Sequence, residues 1–494
     1  MKTGFDNDKY LKLQSEKILE RIKEFDNKLY LEFGGKIFDD FHAARVLPGF
    51  KASSKIELLC KLKDDLEIII CINADAIEKN KIRADIGITY DMEVMRLIDN
   101  ISNLGIKINS VVITRYNNQV GADLFKSKLE DRKVKVYIHR FTKGYPTDVD
   151  TIVSDEGYGA NPYIKTTKPL VVVTAPGPGG GKLATCLSQM YHEYKKGIKV
   201  GYAKFETFPV WNLPLKHPIN IAYEASTADL KDINMIDPWH LDAYGETTVN
   251  YNRDVEVFPV LRNILKKIIG NEVYKSPTDM GVNTVGFCIT DDEICKKASR
   301  EEIVRRSYKA YYDFKQGREE ESTYNRIKVL MDELNISSDE RIVISKSHEK
   351  SEKENGIPVI AIRMPDEKII TGKASNLMTA GAAVILNALK YTAKVPDKIL
   401  LLSPTVIEPT LSLKRELFGN NVLLNIEDVL IALSISVPDN SIVEKVIKTL
   451  PLLKGLDAHS THIMSRKDEV MLRSLEISFT NDYVFYDTTL YYNN

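Results

Sequence analysis

The 494-residue sequence carries almost no net charge: 68 Lys and Arg offset 69 Asp and Glu. A chain without a field of one sign has nothing to draw it to a nucleic-acid backbone or an acidic membrane surface, so neither partner is expected. Cysteine is scarce. The five thiols (Cys60, Cys71, Cys186, Cys288 and Cys295) include no CxxC pair, which fits buried free thiols in a reducing compartment better than a disulfide framework or a zinc site. Long apolar runs are missing as well. The start, MKTGFDNDKYLKLQ, has no apolar core behind its basic residue, unlike a signal peptide. The most apolar stretch, NLMTAGAAVILNALKYTA, is interrupted by Asn387 and Lys390 and is too short to span a bilayer. A soluble, cytoplasmic protein is expected. Two catalytic signatures are also absent. His192-Glu193 and His348-Glu349 begin like HExxH, but Lys196 and Glu352 stand where the second histidine belongs, which disfavours a zincin-type peptidase. No GxSxG elbow occurs.

What remains is an ordinary globular composition, 43% hydrophobic and 28% charged, long enough for about three domains at ~150 residues each. Leu11, Ile18, Ile22 and Phe25 sit at helical spacing, so the chain opens with an amphipathic helix. Up to about residue 240, short apolar runs at 66–72, 110–114, 135–139, 170–174 and 199–205 alternate with helical patterns such as MEVMRLIDNISNLG and LFKSKLEDR. That alternation predicts a mostly parallel sheet covered by helices. Residues 255–335 read as helical: VFPVLRNILKKIIG stops at Gly270, and capping-box patterns start at Thr290 and Ser299. Arg305 and Arg306 read as a solvated face. SKSHEKSEKENG (345–356) reads as a loop. A second α/β unit follows: PVIAIRM, a helix over about 373–393, KILLLS, helices near 408–418, 426–435 and 441–450, and HSTHIM. The predicted fold is α/β, with a mostly parallel sheet and a glycine-rich P-loop-like turn in an N-terminal domain (1–250). A helical middle segment (251–336) and a separate C-terminal α/β subdomain (337–494) complete it.

The chemistry concentrates at VVVTAPGPGGGK, residues 171–182. Glycines let backbone N–H groups turn inward, and a following helix offers its positive end to an anion. Gly177, Gly179, Gly180, Gly181 and Lys182 are therefore candidate phosphate-binding residues. The match to GxxxxGK[ST] is incomplete, because Pro176 replaces the first glycine and Leu183 the magnesium-binding hydroxyl, with Thr185 about a turn further on. The loop suits phosphate or another anion more than Mg-ATP hydrolysis; a plain packing turn is the alternative. Residues 204–254 gather Glu206, Trp211, His217, Glu224, Asp229, Asp237, His240 and Arg253. Loops after neighbouring parallel strands share one edge, which would bring Glu206 near the glycine loop. Asp237, His240, Glu206 and Asp229 are the catalytic candidates, for metal binding or proton transfer, and Arg253 is a candidate for charge neutralisation. Each taken singly reads more simply as a cap or turn residue. Cys186, on the first turns of a helix, reads as a nucleophile or as a small buried residue. Asp457 and His459, on one face of a strand, form a possible acid–base pair, with His462 on the other face. TGKAS (371–375) is a short candidate for a second anion-binding helix start.

The combination of GYGANPYI, VVVTAPGPGGGK, YAKFETFPVWNLPLKHP, MIDPWHLDAYG, VNYNRDVEVFPVL, YKSPTDMGVN and DAHST resembles a bacterial family of unknown function over nearly the whole chain. The resemblance implies an α/β N-terminal part, a helical middle and a separate C-terminal α/β subdomain. Some relatives carry an ATP-dependent peptidase label, which the missing HExxH does not support, and the family implies no catalytic residues. The expected activity is that of an enzyme binding a nucleotide or phosphorylated metabolite at 175–182, with a nucleotide, with or without Mg²⁺, as the cofactor class. The alternative is a non-catalytic phosphometabolite or nucleotide sensor; in either case a homo-oligomer is expected. A thiol enzyme using Cys186 is a third reading.

Overall fold

Aliphatic runs without polar alternation make strands buried on both faces, the signature of a parallel sheet covered by helices. The clearest case is Leu66–Asn73, LEIIICIN, in which every residue but the last is buried. In a computed structural model of the chain, which describes residues 2–83, 87–419 and 422–486, seven strands form one such sheet. They are β1 (Leu29–Phe33), β2 (Leu66–Asn73), β3 (Lys107–Thr114), β4 (Val136–Ile138), β5 (Leu170–Thr174), β6 (Gly201–Phe205) and β7 (Gly281–Val282). Their spatial order is β7-β6-β1-β5-β2-β3-β4, and every pairing is parallel. The five apolar runs all appear as strands. Two strands were not anticipated. One of them, β1, lies near the middle of the sheet, where its register sets Glu32 beside Lys204 of β6.

The flanking helices follow the predicted periodicity. Asn7–Glu24 buries Tyr10, Leu11, Gln14, Ile18 and Ile22 along one face and is capped by the Asp6 carboxylate, which accepts from the Lys9 N–H at 2.9 Å. Asn252–Ile269 ends at Gly270, whose φ of 89° closes the helix in the left-handed region. Ser299 starts no helix. It lies inside Asp292–Lys315, and its hydroxyl donates to the Cys295 carbonyl at 2.7 Å.

The chain divides into two compact units, Lys2–Ser299 and the residues from Arg300 onward. The second holds a four-stranded mixed sheet of β8 (Val359–Arg363), β9 (Ile369–Lys373), β10 (Asp457–Ser460) and β11 (Ser478–Asn481), in the order β9-β8-β10-β11. Only β10 and β11 run parallel. An aliphatic core that includes Ile360, Ile362, Val384, Ile385, Leu433 and Ala458 joins this sheet to Ala380–Thr392 and Ile426–Ser436.

Several expectations for this unit need correction. SKSHEKSEKENG is mostly helix, Ile342–Lys353, because Val343, Ile344, Ser347 and Ser351 make a narrow buried face that the surrounding charges mask. The stretch before 380 is not helical: Thr371, Gly372 and Lys373 belong to β9, so TGKAS is no helix start. The helix begins at Ala380, where the Thr379 hydroxyl accepts from the Ala382 N–H at 3.1 Å. KILLLS forms no strand, and Ser441–Ile447 is shorter than expected, giving way to a 3-10 turn at Leu450–Leu453.

Asp457 does not pair with His459. Arg341, 1% exposed and placed just before the helix Ile342–Lys353, grips its carboxylate through Nε at 2.9 Å and Nη2 at 2.6 Å. Burial works to raise the Asp457 pKa, but the Arg341 charge and hydrogen bonds outweigh it and hold the carboxyl below its ordinary value of 3.8. Removing one partner strands the other charge. Asp457→Asn should therefore cost about 3–5 kcal/mol in a denaturant titration near neutral pH. A lowered folded pKa gives stability that is present above the unfolded pKa and fades as pH falls through the folded one. The gap between wild type and Asp457→Asn should accordingly close on acidification below about pH 4.

Candidate functional site

In an open parallel sheet, ligands bind beyond the carboxyl ends of strands, where neighbouring connections diverge. From β2 the chain proceeds outward to β3 and β4; from β5 it crosses β1 to reach β6. Because β2 and β5 are neighbours, their ends flank such a crevice. A cleft of ≈ 420 Å³ opens there, lined by Asn73, Asp75, Lys79, Lys81, Tyr90 and the loop residues Pro176, Pro178, Gly179 and Gly180, among others.

The loop joins β5 to the 14-residue helix Lys182–Lys195. Its glycines have separable roles. A Cβ on Gly177 would lie 2.3 Å from the Tyr90 hydroxyl, and one on Gly181, whose φ is +87°, would collide with the Thr114 side chain at 2.7 Å. Close packing explains both. Gly179, with φ +74° and nothing within 4 Å of the position its Cβ would take, faces open space. The Gly180 carbonyl accepts from the Thr114 hydroxyl at 2.9 Å, which turns that peptide's oxygen toward the protein. Among the described residues, the backbone N–H groups of Gly179, Gly180, Gly181, Lys182, Leu183 and Ala184 find no protein acceptor. Unbonded amides at a helix start are the donors an anion uses.

Lys182 does not line this cleft. Its Nζ lies 3.8 Å from Glu32 Oε1, on the way to a buried charged cluster at the ends of β1 and β6. There Lys204 Nζ meets Glu206 Oε1 at 2.9 Å and also binds Asp254 and the Tyr251 hydroxyl. Glu32 Oε2 accepts from the Tyr202 hydroxyl at 2.8 Å. Burial, reinforced by Asp254, raises the Glu206 pKa to about 6 against the pull of Lys204. These connections also diverge, since β6 leads outward to β7 and β1 leads across β5 to β2.

The other expected site residues are dispersed. Asp229 is exposed on the one-turn 3-10 helix Ala228–Leu230. Asp237 is fully buried with both oxygens engaged: Oδ1 accepts from the Trp239 and His240 N–H groups at 3.0 and 3.1 Å, and Oδ2 from the Thr278 hydroxyl at 2.7 Å. It serves as a helix cap. His240 Nδ1 sits 2.9 Å from Ser276 Oγ, and Arg253 pairs with Asp232 at 3.1 Å. Burial pushes the Cys186 thiol well above its ordinary pKa, which makes it a packing residue and not an activated nucleophile. Sequence reasoning missed Asn73, Asp75, Lys79, Lys81, Glu32 and Lys204. A signal for the first two was present, since Asn73 and Asp75 come just after the apolar run 66–72.

The raised Glu206 pKa has a measurable consequence. A carboxyl whose folded pKa exceeds its unfolded value contributes stability below the unfolded pKa and loses it as pH rises through the folded one. Melting curves should show wild type losing stability relative to Glu206→Gln as pH rises from about 4.5 to about 6. A constant difference across that window would mean that Glu206 titrates normally.

Residues 3–335 match the family described as domain of unknown function DUF1846, N-terminal, and residues 339–491 match its C-terminal counterpart. A UPF0371 protein of Clostridium botulinum (strain Alaska E43 / Type E3) is 57% identical over 503 residues, covering 100% of both chains. A UPF0371 protein of Fusobacterium nucleatum subsp. nucleatum is 56% identical over 506 residues, again with 100% of both covered. With two contiguous matches and likeness along its whole length, the chain belongs to the DUF1846 (UPF0371) family, whose function is unknown.

Proposed function

We propose that the cleft between β2 and β5 binds the phosphate of a nucleotide or other phosphorylated metabolite, and that the protein is an enzyme acting on it. The observation that carries the reading is the set of unbonded amides from Gly179 to Ala184, which begin a 14-residue helix beside an open cleft. Two exposed lysines, Lys79 and Lys81, line the same cleft and supply the mobile positive charge that the sequence suggested for Lys182. Leu183 leaves the loop without a magnesium-binding hydroxyl, so the anchor works through amides and lysines. Glu206 is the favoured proton-transfer group: its pKa of about 6 suits exchange near neutral pH, and Lys182 with Glu32 bridges from the loop toward it.

A second reading, a non-catalytic sensor that self-associates, draws on a different observation. None of Glu206, Asp229, Asp237 or His240 lines the cleft, and the one carboxylate among its described lining residues, Asp75, already accepts from Gln119 Nε2 at 2.7 Å.

A thermal-shift screen of nucleotides, sugar phosphates and inorganic phosphate, with and without Mg²⁺, separates the two. A ligand at 100 times its Kd stabilises the fold by about 2.7 kcal/mol. The shift should shrink at least about tenfold in apparent affinity when Lys79 and Lys81 are both changed to alanine, since each removes a charge-assisted contact. For any ligand that binds, turnover in wild type that is lost in Glu206→Gln with binding retained supports the enzyme. Binding without turnover supports the sensor, and no phosphate binding at all removes both.

A further inference from the structure

The helix Ile342–Lys353 lies against the face of the C-terminal sheet opposite its aliphatic core. Arg341, the extended residue before the first turn, and His348, two turns further on, both reach toward the sheet. Arg341 takes Asp457, as described above. His348 meets a different pair: His459 from β10, and Asp482 just past β11. The His348 Nε2 lies 2.7 Å from Asp482 Oδ2, and the His459 Nε2 lies 3.4 Å from Asp482 Oδ1. One ligand atom from each of the three residues fits within 4.8 Å of the others.

Three further observations distinguish this trio from a chance surface cluster. First, the His459 side chain is completely buried, yet its Nε2 has no hydrogen-bond partner, because the approach to Asp482 lacks hydrogen-bond geometry. A buried polar atom without a partner is costly and calls for an explanation, such as a bound ion. Second, the rest of the ring is held. Nδ1 sits 2.8 Å from Thr480 Oγ1, which also accepts from Arg341, and Tyr308 packs edge-on at 5.0 Å. When the Thr480 oxygen accepts from Nδ1–H, the free lone pair falls on Nε2, the arrangement seen for histidines that bind metals. Third, there is a way in: the His348 side chain is 40% exposed and that of Asp482 21%. Backbone pairing fixes the third ligand too, since the Asp482 N–H donates to the Ser460 carbonyl at 3.0 Å.

We propose that His348, His459 and Asp482 form a binding site for a divalent first-row transition-metal ion, with solvent completing the coordination on the His348 side. Two imidazole nitrogens and one carboxylate suit zinc, iron(II), cobalt(II) or manganese(II), whereas calcium and magnesium prefer an all-oxygen shell. The proposal is independent of the phosphate cleft and does not require an enzymatic role.

The test uses the full-length protein, stripped with a chelator and titrated with Zn²⁺ and Co²⁺ by calorimetry, with Mg²⁺ as the control. One equivalent of Zn²⁺ or Co²⁺ should bind and Mg²⁺ should not. His348→Ala and the near-isosteric Asp482→Asn should each weaken binding at least about tenfold while circular dichroism stays native. Thr480→Val, which removes the support of the His459 ring together with one acceptor of Arg341, should weaken it by about 10–100-fold. A crystal grown with Zn²⁺ provides a readout that needs no variant: an anomalous peak within coordination distance of His459 Nε2. No binding of either ion, affinity unchanged in both ligand variants, or an anomalous peak only elsewhere on the chain would overturn the site.

Discussion

Parallel strand pairing is the constraint from which the rest of the N-terminal unit follows. It forces every connection to return over a face of the sheet to the same starting edge, so all seven strands end on one side. Because β5 is inserted between β1 and β2, residues about a hundred positions apart in sequence meet there. Asn73 ends β2, and its amide reaches the Gly179 carbonyl at 3.5 Å. The glycine loop therefore has a floor and walls supplied by another part of the chain, and the free amides at the start of Lys182–Lys195 open onto a defined cleft. In the C-terminal unit the equivalent constraint is antiparallel pairing on both sides of β8. Parallel pairing of β10 with β11 then sets these two side by side and brings His459 and Asp482 within reach of one helix.

The charged residues sort by how much water they keep. Asp457 and Arg341 lose nearly all of it and gain a bidentate grip in exchange, as buried pairs must. Lys204 and Glu206 are in the same position, but with Asp254 and Glu32 close by there is more negative than positive charge, and Glu206 responds with a raised pKa. Lys79 and Lys81 remain in solvent and cost little to hold.

Much of the architecture was legible because strands buried on both faces are written as uninterrupted aliphatic runs: LEIIICI and LVVVT admit few other readings. The strand β1 escaped because Glu32 breaks LYLEF, although that glutamate turns inward to meet Tyr202 and Lys182. The helix Ile342–Lys353 escaped for the opposite reason, since eight of its twelve residues avoid the core and its composition resembles a solvated loop. KILLLS has strand composition but no neighbouring strand to pair with, and pairing is not local information. At the candidate site, the glycine loop was visible from its own residues. Its partners Lys79 and Lys81 were not, because only the order of strands in the sheet connects them to it. Asp237 and His240 looked catalytic by type, and their hydrogen bonds show them capping a helix and meeting a serine.

The seven-residue spacing between Arg341 and His348 has a consequence for how this protein can vary. A surface loop absorbs an inserted residue by bulging, but a helix passes it along as rotation, about 100° per residue. One residue gained or lost between these two positions would leave Arg341 on Asp457 and swing His348 away from Asp482. The segment is polar and half-exposed, the kind of sequence in which length changes are usually tolerated, yet here its length works as a ruler between two carboxylates, Asp457 and Asp482.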